Sequence, residues 1–235
     1  MSAVIVFGAS GALGKSVCRL AADLGHRVIP VSRTDTGADP VTSNVLMDEQ
    51  LTTSLLSTVL TLEAAPTRLI GVVTSGANNY PHTVGDSTGL ELIESVRENV
   101  VSVLTAINAL HAIPVRPISV VAIGSIFSVQ GGSSNTPYTT AKHALVGLVR
   151  AATEDYRQDN IAINALCPGP IIGEMLRDVL KRRNPGKDAD HLIARLQESR
   201  GPKSILEYDE VAAAALHLAS MGFVGVRGQI VVQDN

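Results

Sequence analysis

The chain has 235 residues, 45% of them hydrophobic and 17% charged, and 19 basic residues nearly balance 22 acidic ones for a net charge of -3. That length and balance predict one domain spanning 1–235 around a single sizeable core. They exclude a nucleic-acid binder, since there is no basic footprint and three Phe, four Tyr and no Trp make no stacking platform. No apolar run reaches the roughly eighteen residues of a membrane span and no basic-then-apolar leader opens the chain, so a cytoplasmic protein without membrane contact is expected. Cys18 and Cys167 lie far apart without ligand spacing. They read as reduced thiols, and no metal is expected.

In chain order, seven runs read as strands: "AVIVFG" (3–8), "HRVIPVS" (26–32), "NVLM" (44–47), "RLIGVVT" (68–74), "PISVVAIGS" (117–125), "NIAINALC" (160–167) and "GQIVVQ" (228–233). Between the first two, Leu13, Val17, Leu20, Ala21 and Leu24 share one helical face. From Leu90 to Leu110, apolar residues recur at 93, 96, 100, 103, 107 and 110. Strands apolar on both faces and separated by helices predict a doubly wound α/β domain, a seven-stranded parallel sheet with helices on both faces. Pro30 fits a ladder poorly, because it has no N–H to give, and belongs at an edge, an end or a bulge.

"VIVFGASGALGKSV" places Gly8, Gly11 and Gly14 in the turn from the first strand to the first helix. Glycines there let the backbone approach a pyrophosphate, and the helix offers free N–H groups and the positive end of its dipole. The second strand ends in Ser32 and Arg33 rather than a carboxylate. Arginine's planar fork suits a 2′-phosphate, so NADP(H) is favoured over NAD(H). Asp35 is a rival in the following loop. Asp48, beyond the third strand, could accept an adenine amino hydrogen bond, and a surface acid explains it almost as well.

"NTPYTTAKHAL" (135–145) puts Tyr138 and Lys142 four residues apart, on one face of a helix, where the ammonium favours the ionised phenol. A phenol titrates near ~10, so one lysine alone does not bring it to neutrality, and the positive charge of an oxidised nicotinamide is needed as well. Thirteen residues before Tyr138, Ser125 in "AIGSIF" ends the fifth strand, where open α/β sheets place their ligand crevice.

Gly8, Gly11 and Gly14, then Asn99, Ser125, "YTTAK" and "NALCPGP", in this order, resemble the short-chain dehydrogenase/reductase family over essentially the whole chain. The resemblance implies a Rossmann-like fold, a nicotinamide cofactor and an alcohol or carbonyl substrate. It implies that Tyr138 is the general acid/base, Ser125 the orienter of the substrate oxygen, and Lys142 both a ribose ligand and the modulator of Tyr138. Asn99 would hold the water linking Lys142 to solvent. Cofactor contacts are expected from Gly8, Ser10, Gly11, Leu13, Gly14, Ser32, Arg33, Asp48, Gly76, Tyr138, Lys142, Pro168, Gly169 and Ile171. Several positions depart from the family pattern. Phe7 replaces the usual Thr, the glycines are spaced Gly-x-x-Gly-x-x-Gly, Thr74-Ser75-Gly76-Ala77 replaces Asn-Asn-Ala-Gly, and Gly173 stands where a threonine commonly holds the nicotinamide.

Residues 173–205 are expected to form a substrate lid and contain eight Lys or Arg against five Asp or Glu. "LKRRNPGK" and Arg177 could attract an anionic or carrier-bound substrate, although a solvated helix face explains the same charges. Tyr80, His82, Phe127 and Gln130 should border the pocket, and His82 has no visible carboxylate partner. Leu145, Leu148 and Val149 could pair with another subunit in a homodimer or homotetramer, or simply pack in the core. The function expected is an NADP(H)-dependent oxidoreductase interconverting a ketone and a secondary alcohol, in the reductive direction. The alternatives are a non-catalytic NADP-binding regulator and an epimerase or dehydratase using transient oxidation.

Overall fold

The structure, a computed structural model, describes residues 2–32, 66–74, 81–200 and 205–234. Six strands are described: β1 (Ser2–Phe7), β2 (Arg27–Val31), β3 (Arg68–Val73), β4 (Ile118–Ile123), β5 (Ile161–Pro168) and β6 (Ile230–Gln233). They form one parallel sheet in the order β2-β1-β3-β4-β5-β6. The expected strand at 44–47 lies outside the described residues, as do Arg33, Asp35, Asp48, Gly76 and Tyr80. Pro30 pairs with Val6 in β2, the edge of the described sheet, where a missing donor is tolerated.

The chain leaves β1 to β2 on one side and returns to β3 on the other, so the order reverses between β1 and β3. That is where a doubly wound sheet opens a crevice at its carboxyl ends.

Seven helices are described: α1 (Ala12–Asp23), α2 (Gly89–Val96), α3 (Ser102–Ala112), α4 (Thr136–Asp155), α5 (Glu174–Arg183), α6 (Ala189–Arg200) and α7 (Tyr208–Gly222). The period-two alternation of each strand divides the core. Ala3, Ile5 and Phe7 of β1 face one layer with Val103, Ile107 and Leu110 of α3 and Leu145 and Val149 of α4. Val4 and Val6 face the other, with Val17 and Ala21 of α1 and Val211, Ala215 and Ala219 of α7. At about 25 cal/mol per Å² of apolar surface, this two-sided burial is the main force holding the sheet. No helix among the described residues is long and apolar enough to cross a membrane.

One expectation changes. A π-helical turn, Arg97–Val101, joins α2 to α3 and adds a residue to the helical period. The apolar face therefore does not run straight: Val103, Ile107 and Leu110 are buried, but Ile93 is 63% exposed, while Ser95 and Asn99 turn inward and are fully buried. Leu145 and Val149 are core residues and Leu148 packs against that core, which is the core-packing reading of the two their sequence allows. Exposed apolar residues include Leu90 and Ile93 of α2, Val101 of the π turn and Leu104 of α3.

Candidate active site

The glycine turn is held by backbone. The Gly8 and Ala9 N–H groups donate to the Val31 carbonyl at 2.8 and 3.1 Å, tying the turn to the end of β2. Gly8 has φ +82°, in the left-handed region, and a Cβ there would lie 2.6 Å from the Thr74 hydroxyl. Thr74 in turn donates to the carbonyls of Phe7 at 2.9 Å and Gly8 at 3.2 Å. Its hydroxyl thus supplies, at the head of the Thr74–Ala77 run, a link from β3 to the β1 turn. A Cβ on Gly14 would lie 2.2 Å from the Gly8 carbonyl oxygen, so only glycine lets α1 start this close to the turn.

Gly11 caps α1 without a side-chain hydrogen bond, and the first turn carries no acidic residue. Its unpaired N–H groups and dipole are available to an anion. This cradle, open at Gly11 and closed to side chains at Gly8 and Gly14, fits the diphosphate of a dinucleotide.

At the ends of β4 and β5 the site is made of side chains. Gly124 and Ser125 follow β4, and Ser125 begins a 3-10 turn over Ile126–Ser128. The Ser125 N–H donates to Ser128 Oγ at 3.1 Å, and Ser125 Oγ accepts from the Phe127 N–H at 3.3 Å. This reciprocal box fixes the Ser125 hydroxyl, which lies close enough to Tyr138 to favour its ionised form.

Pro137, in the first turn of α4, pre-sets the helix start. Tyr138 stands there, and Lys142 one turn later. The Phe127 ring meets the Tyr138 ring edge-on, with centroids 6.3 Å apart. Lys142 is 2% exposed; its Nζ lies 5.5 Å from the Tyr138 ring centroid and donates to the Ile123 carbonyl at 3.2 Å. Burial lowers the Lys142 pKa to about 8, partly opposed by the nearby Cys167 thiol. Burial raises the Tyr138 pKa, more than the Ser125 hydroxyl lowers it. In this state burial is the largest influence on the phenol, which holds its proton. Cys167 is fully buried, its thiol pushed up by burial and hydrogen-bonded by Ser128.

Both ends open on one cleft of about 550 Å³, with Thr74 of the β3 end also on its wall. Nine of the expected residues line it: Gly11, Leu13 and Gly14 on one side, Ser125, Tyr138 and Lys142 on the other, and Pro168, Gly169 and Ile171 at the β5 end. Gly8 and Ser10 build the turn without reaching that wall, and Ser32 is buried at the end of β2. Asn99 lies in the π turn, its Nδ2 donating to the Ser95 carbonyl at 2.9 Å. It is not on the cleft wall.

Several side chains were not found from the sequence. Ser128 could have been, from the Ser-x-x-Ser capping pattern. Tyr208 gave no local signal: it lines the cleft, and a Cβ on Gly173 would lie 2.2 Å from its hydroxyl. The space a threonine side chain would take at 173 is thus filled by Tyr208. His82 does have a carboxylate partner: Nδ1 is 3.0 Å from Glu91 Oε1.

A parallel sheet with a glycine cradle at its switch point, and a hydroxyl, a phenol and an ammonium gathered at neighbouring strand ends, defines a Rossmann-like fold with a candidate site in its crevice. A family model described as enoyl-(acyl carrier protein) reductase matches residues 4–235. The chain belongs to the short-chain dehydrogenase/reductase family.

It is similar to asnovolin H dehydrogenase of Aspergillus novofumigatus, 24% identical over 251 residues covering 99% of this chain and 95% of that protein. The chain spans about half the length of other curated relatives: an uncharacterized oxidoreductase of Bacillus subtilis is 33% identical over 118 residues, 48% of this chain and 45% of that one. In fold it is similar to the ligand-free aldohexose dehydrogenase of Thermoplasma acidophilum, with TM-score 0.84 and 23% identity over 98% of this chain and 91% of that one.

Proposed function

We propose that the protein is an NADP(H)-dependent oxidoreductase that interconverts a ketone and a secondary alcohol, working in the reductive direction. The observation that carries this reading is that Ser125, Tyr138 and Lys142 share the cleft wall, with the Lys142 ammonium 5.5 Å from the centre of the phenol ring. Gly8, Ser10, Gly11, Leu13 and Gly14 would hold the cofactor's diphosphate. Ser32, Arg33 and Asp48 would take its adenine end, with the Arg33 fork on the 2′-phosphate. Gly76, Lys142, Pro168, Gly169 and Ile171 would hold the nicotinamide end.

When bound, the reduced nicotinamide supplies the hydride. The chain's own residues do the rest. Ser125 Oγ donates to the substrate's carbonyl oxygen and orients it. The Tyr138 hydroxyl gives its proton to that oxygen as negative charge develops. The raised pKa of Tyr138 keeps it in the acid form through neutral pH, which suits a proton donor in reduction. Lys142 then stabilises the phenolate left behind, and Asn99 positions the water through which the proton is replaced. The segment 173–205, with α5 and α6, acts as a lid. It is tied at its base by the Leu206 N–H to the Pro170 carbonyl and the Ile172 N–H to the Leu206 carbonyl, each 2.8 Å.

The test is titration with NADPH and NADH, followed by a panel of ketones, quinones and acyl thioester ketones. NADPH should bind more tightly and be oxidised, and Arg33→Ala should weaken NADPH far more than NADH. Equal losses for the two cofactors would remove the 2′-phosphate contact. The same reading includes a homodimer or homotetramer, supported by the exposed apolar residues of α2 and α3. A monomer in analytical ultracentrifugation would refute that part.

A further inference from the structure

The substrate side of the cleft is apolar along its length. Phe127 faces it from one side, and Leu176, Val179, Leu180 and Leu196 from α5 and α6 on the other. Beyond Lys142, one cation among the described residues reaches this lining: Arg183, the last residue of α5.

The other basic side chains of α5 are engaged elsewhere or off the wall. Arg177 is ion-paired with Asp190 and so is not available to a substrate. Arg182 Nε donates to the Asp178 carbonyl at 3.3 Å, and Lys181 is exposed and does not line the cleft. Arg183 gives one N–H to the Ser134 carbonyl at 3.2 Å, four residues before Tyr138. This contact places the guanidinium on the reacting side of the cleft, away from the glycine turn.

Partial burial lowers the Arg183 pKa, and among the described residues no carboxylate pairs with it. A guanidinium carries five N–H donors in a planar fork, and one carbonyl satisfies one of them. Arg183 is exposed at the rim, as Lys181 is, and what sets it apart is its place on the cleft lining; a bidentate carboxylate is the group whose geometry its fork matches. One free cation balances one negative charge, which fits a carboxylate better than a phosphate dianion.

We propose that Arg183 is the anion-recognition residue of the cleft, and that the substrate is an apolar ketone or secondary alcohol bearing a single carboxylate. The carboxylate meets the Arg183 fork at the mouth, the apolar body lies along the α5 and α6 leucines, and the reacting carbon reaches Ser125 and Tyr138. Arg183 takes no part in the bond changes. This inference rests on reading the cleft as the substrate site of a ketone reductase.

The test uses binding, which needs no turnover. Octanoate and 1-octanol share an apolar chain and differ in the head group; each is titrated calorimetrically into the wild-type chain, Arg183→Gln and Arg183→Lys. Octanoate should bind at least about tenfold more tightly than 1-octanol to the wild type, the size expected for a charge-assisted hydrogen bond. The ratio should fall to about one in Arg183→Gln and be partly kept in Arg183→Lys. Lys181→Gln, off the cleft wall, should leave it unchanged.

Equal binding of the two probes to the wild type, or an unchanged ratio in Arg183→Gln, would overturn the assignment. A protein that oxidises NADPH with neutral ketones yet shows no carboxylate preference would fail this inference alone. One that shows the preference but turns over no ketone would fail the functional reading alone.

Discussion

The two ends of the cleft are built from opposite materials. At the β1–α1 turn the working groups are backbone N–H donors, and the side chains that matter are the ones left out, at Gly8 and Gly14. At the ends of β4 and β5 the proposed working groups are side chains: half-buried Ser125 and Tyr138 and the buried Lys142, together on the cleft wall. A diphosphate is recognised by close approach and a dipole, which glycine permits. Proton transfer needs particular atoms with particular pKa values, which only desolvation and fixed neighbours provide. The difference teaches that damage to the first end should be steric and felt in cofactor affinity, and damage to the second should be chemical and felt in turnover.

Substitutions at each end can break or sharpen that contrast. The largest effect is expected from Ser125→Ala, which removes the proposed donor to the substrate oxygen: turnover should drop by about 10²–10³ with cofactor affinity kept. Steady-state kinetics beside a cofactor titration checks it, and a fall in affinity of the same size would blur the two ends.

Lys142→Met comes next. In the folded chain the Lys142 pKa is lowered from 10.5 to about 8, so the unfolded chain holds the extra proton between those values and stability rises with pH across that window. Below pH 8 the buried ammonium is a standing cost. Its removal should raise stability there by up to about 3 kcal/mol, a gain that shrinks as pH rises through the window toward 10.5. Urea denaturation at several pH values reads this directly.

At the other end, Gly14→Ala would place a Cβ 2.2 Å from the Gly8 carbonyl oxygen, an atom that cannot swing aside. The expected result is a roughly thirtyfold loss of cofactor affinity, about 2 kcal/mol, with chemistry on the bound complex kept. The smallest effect is expected for Ser128→Ala, which touches the reacting groups only through Ser125 and Cys167. A loss of about 1 kcal/mol, or roughly fivefold in turnover, is the scale of one hydrogen bond.

How far the sequence foretold each end follows from the same contrast. The glycine turn and the Ser125, Tyr138 and Lys142 set were legible because their spacing is local: a strand-to-helix turn, a strand end and one helical turn. The β2 and β4 boundaries were close for the same reason, alternation and period being short-range signals. The phase of the helix from Gly89 to Ala112 was not legible, because a π turn adds one residue to a 3.6 period and no residue type announces it. Asn99 was named from its place in the motif, but its full burial follows from that added residue.

Tyr208 was missed, and Arg183 was not singled out within "LKRRNPGK", because their relevance comes from chain segments far apart. Tyr208 fills the space beside Gly173 from the start of α7, and Arg183 reaches Ser134 from the far end of α5. The charged stretch after residue 180 looked uniform in sequence. Only packing separates Arg183 on the cleft wall from Arg177 paired with Asp190.

The central claim is that Tyr138 supplies the proton in a nicotinamide-dependent ketone reduction, and one measurement tests it most directly. Wild type and Tyr138→Phe are each titrated with NADPH by fluorescence and then given the ketone panel while loss of the reduced nicotinamide absorbance is followed. The account predicts similar NADPH binding by both proteins and a rate at least about 10² lower in Tyr138→Phe, in line with removal of a general acid. Matching rates in the two proteins would contradict it.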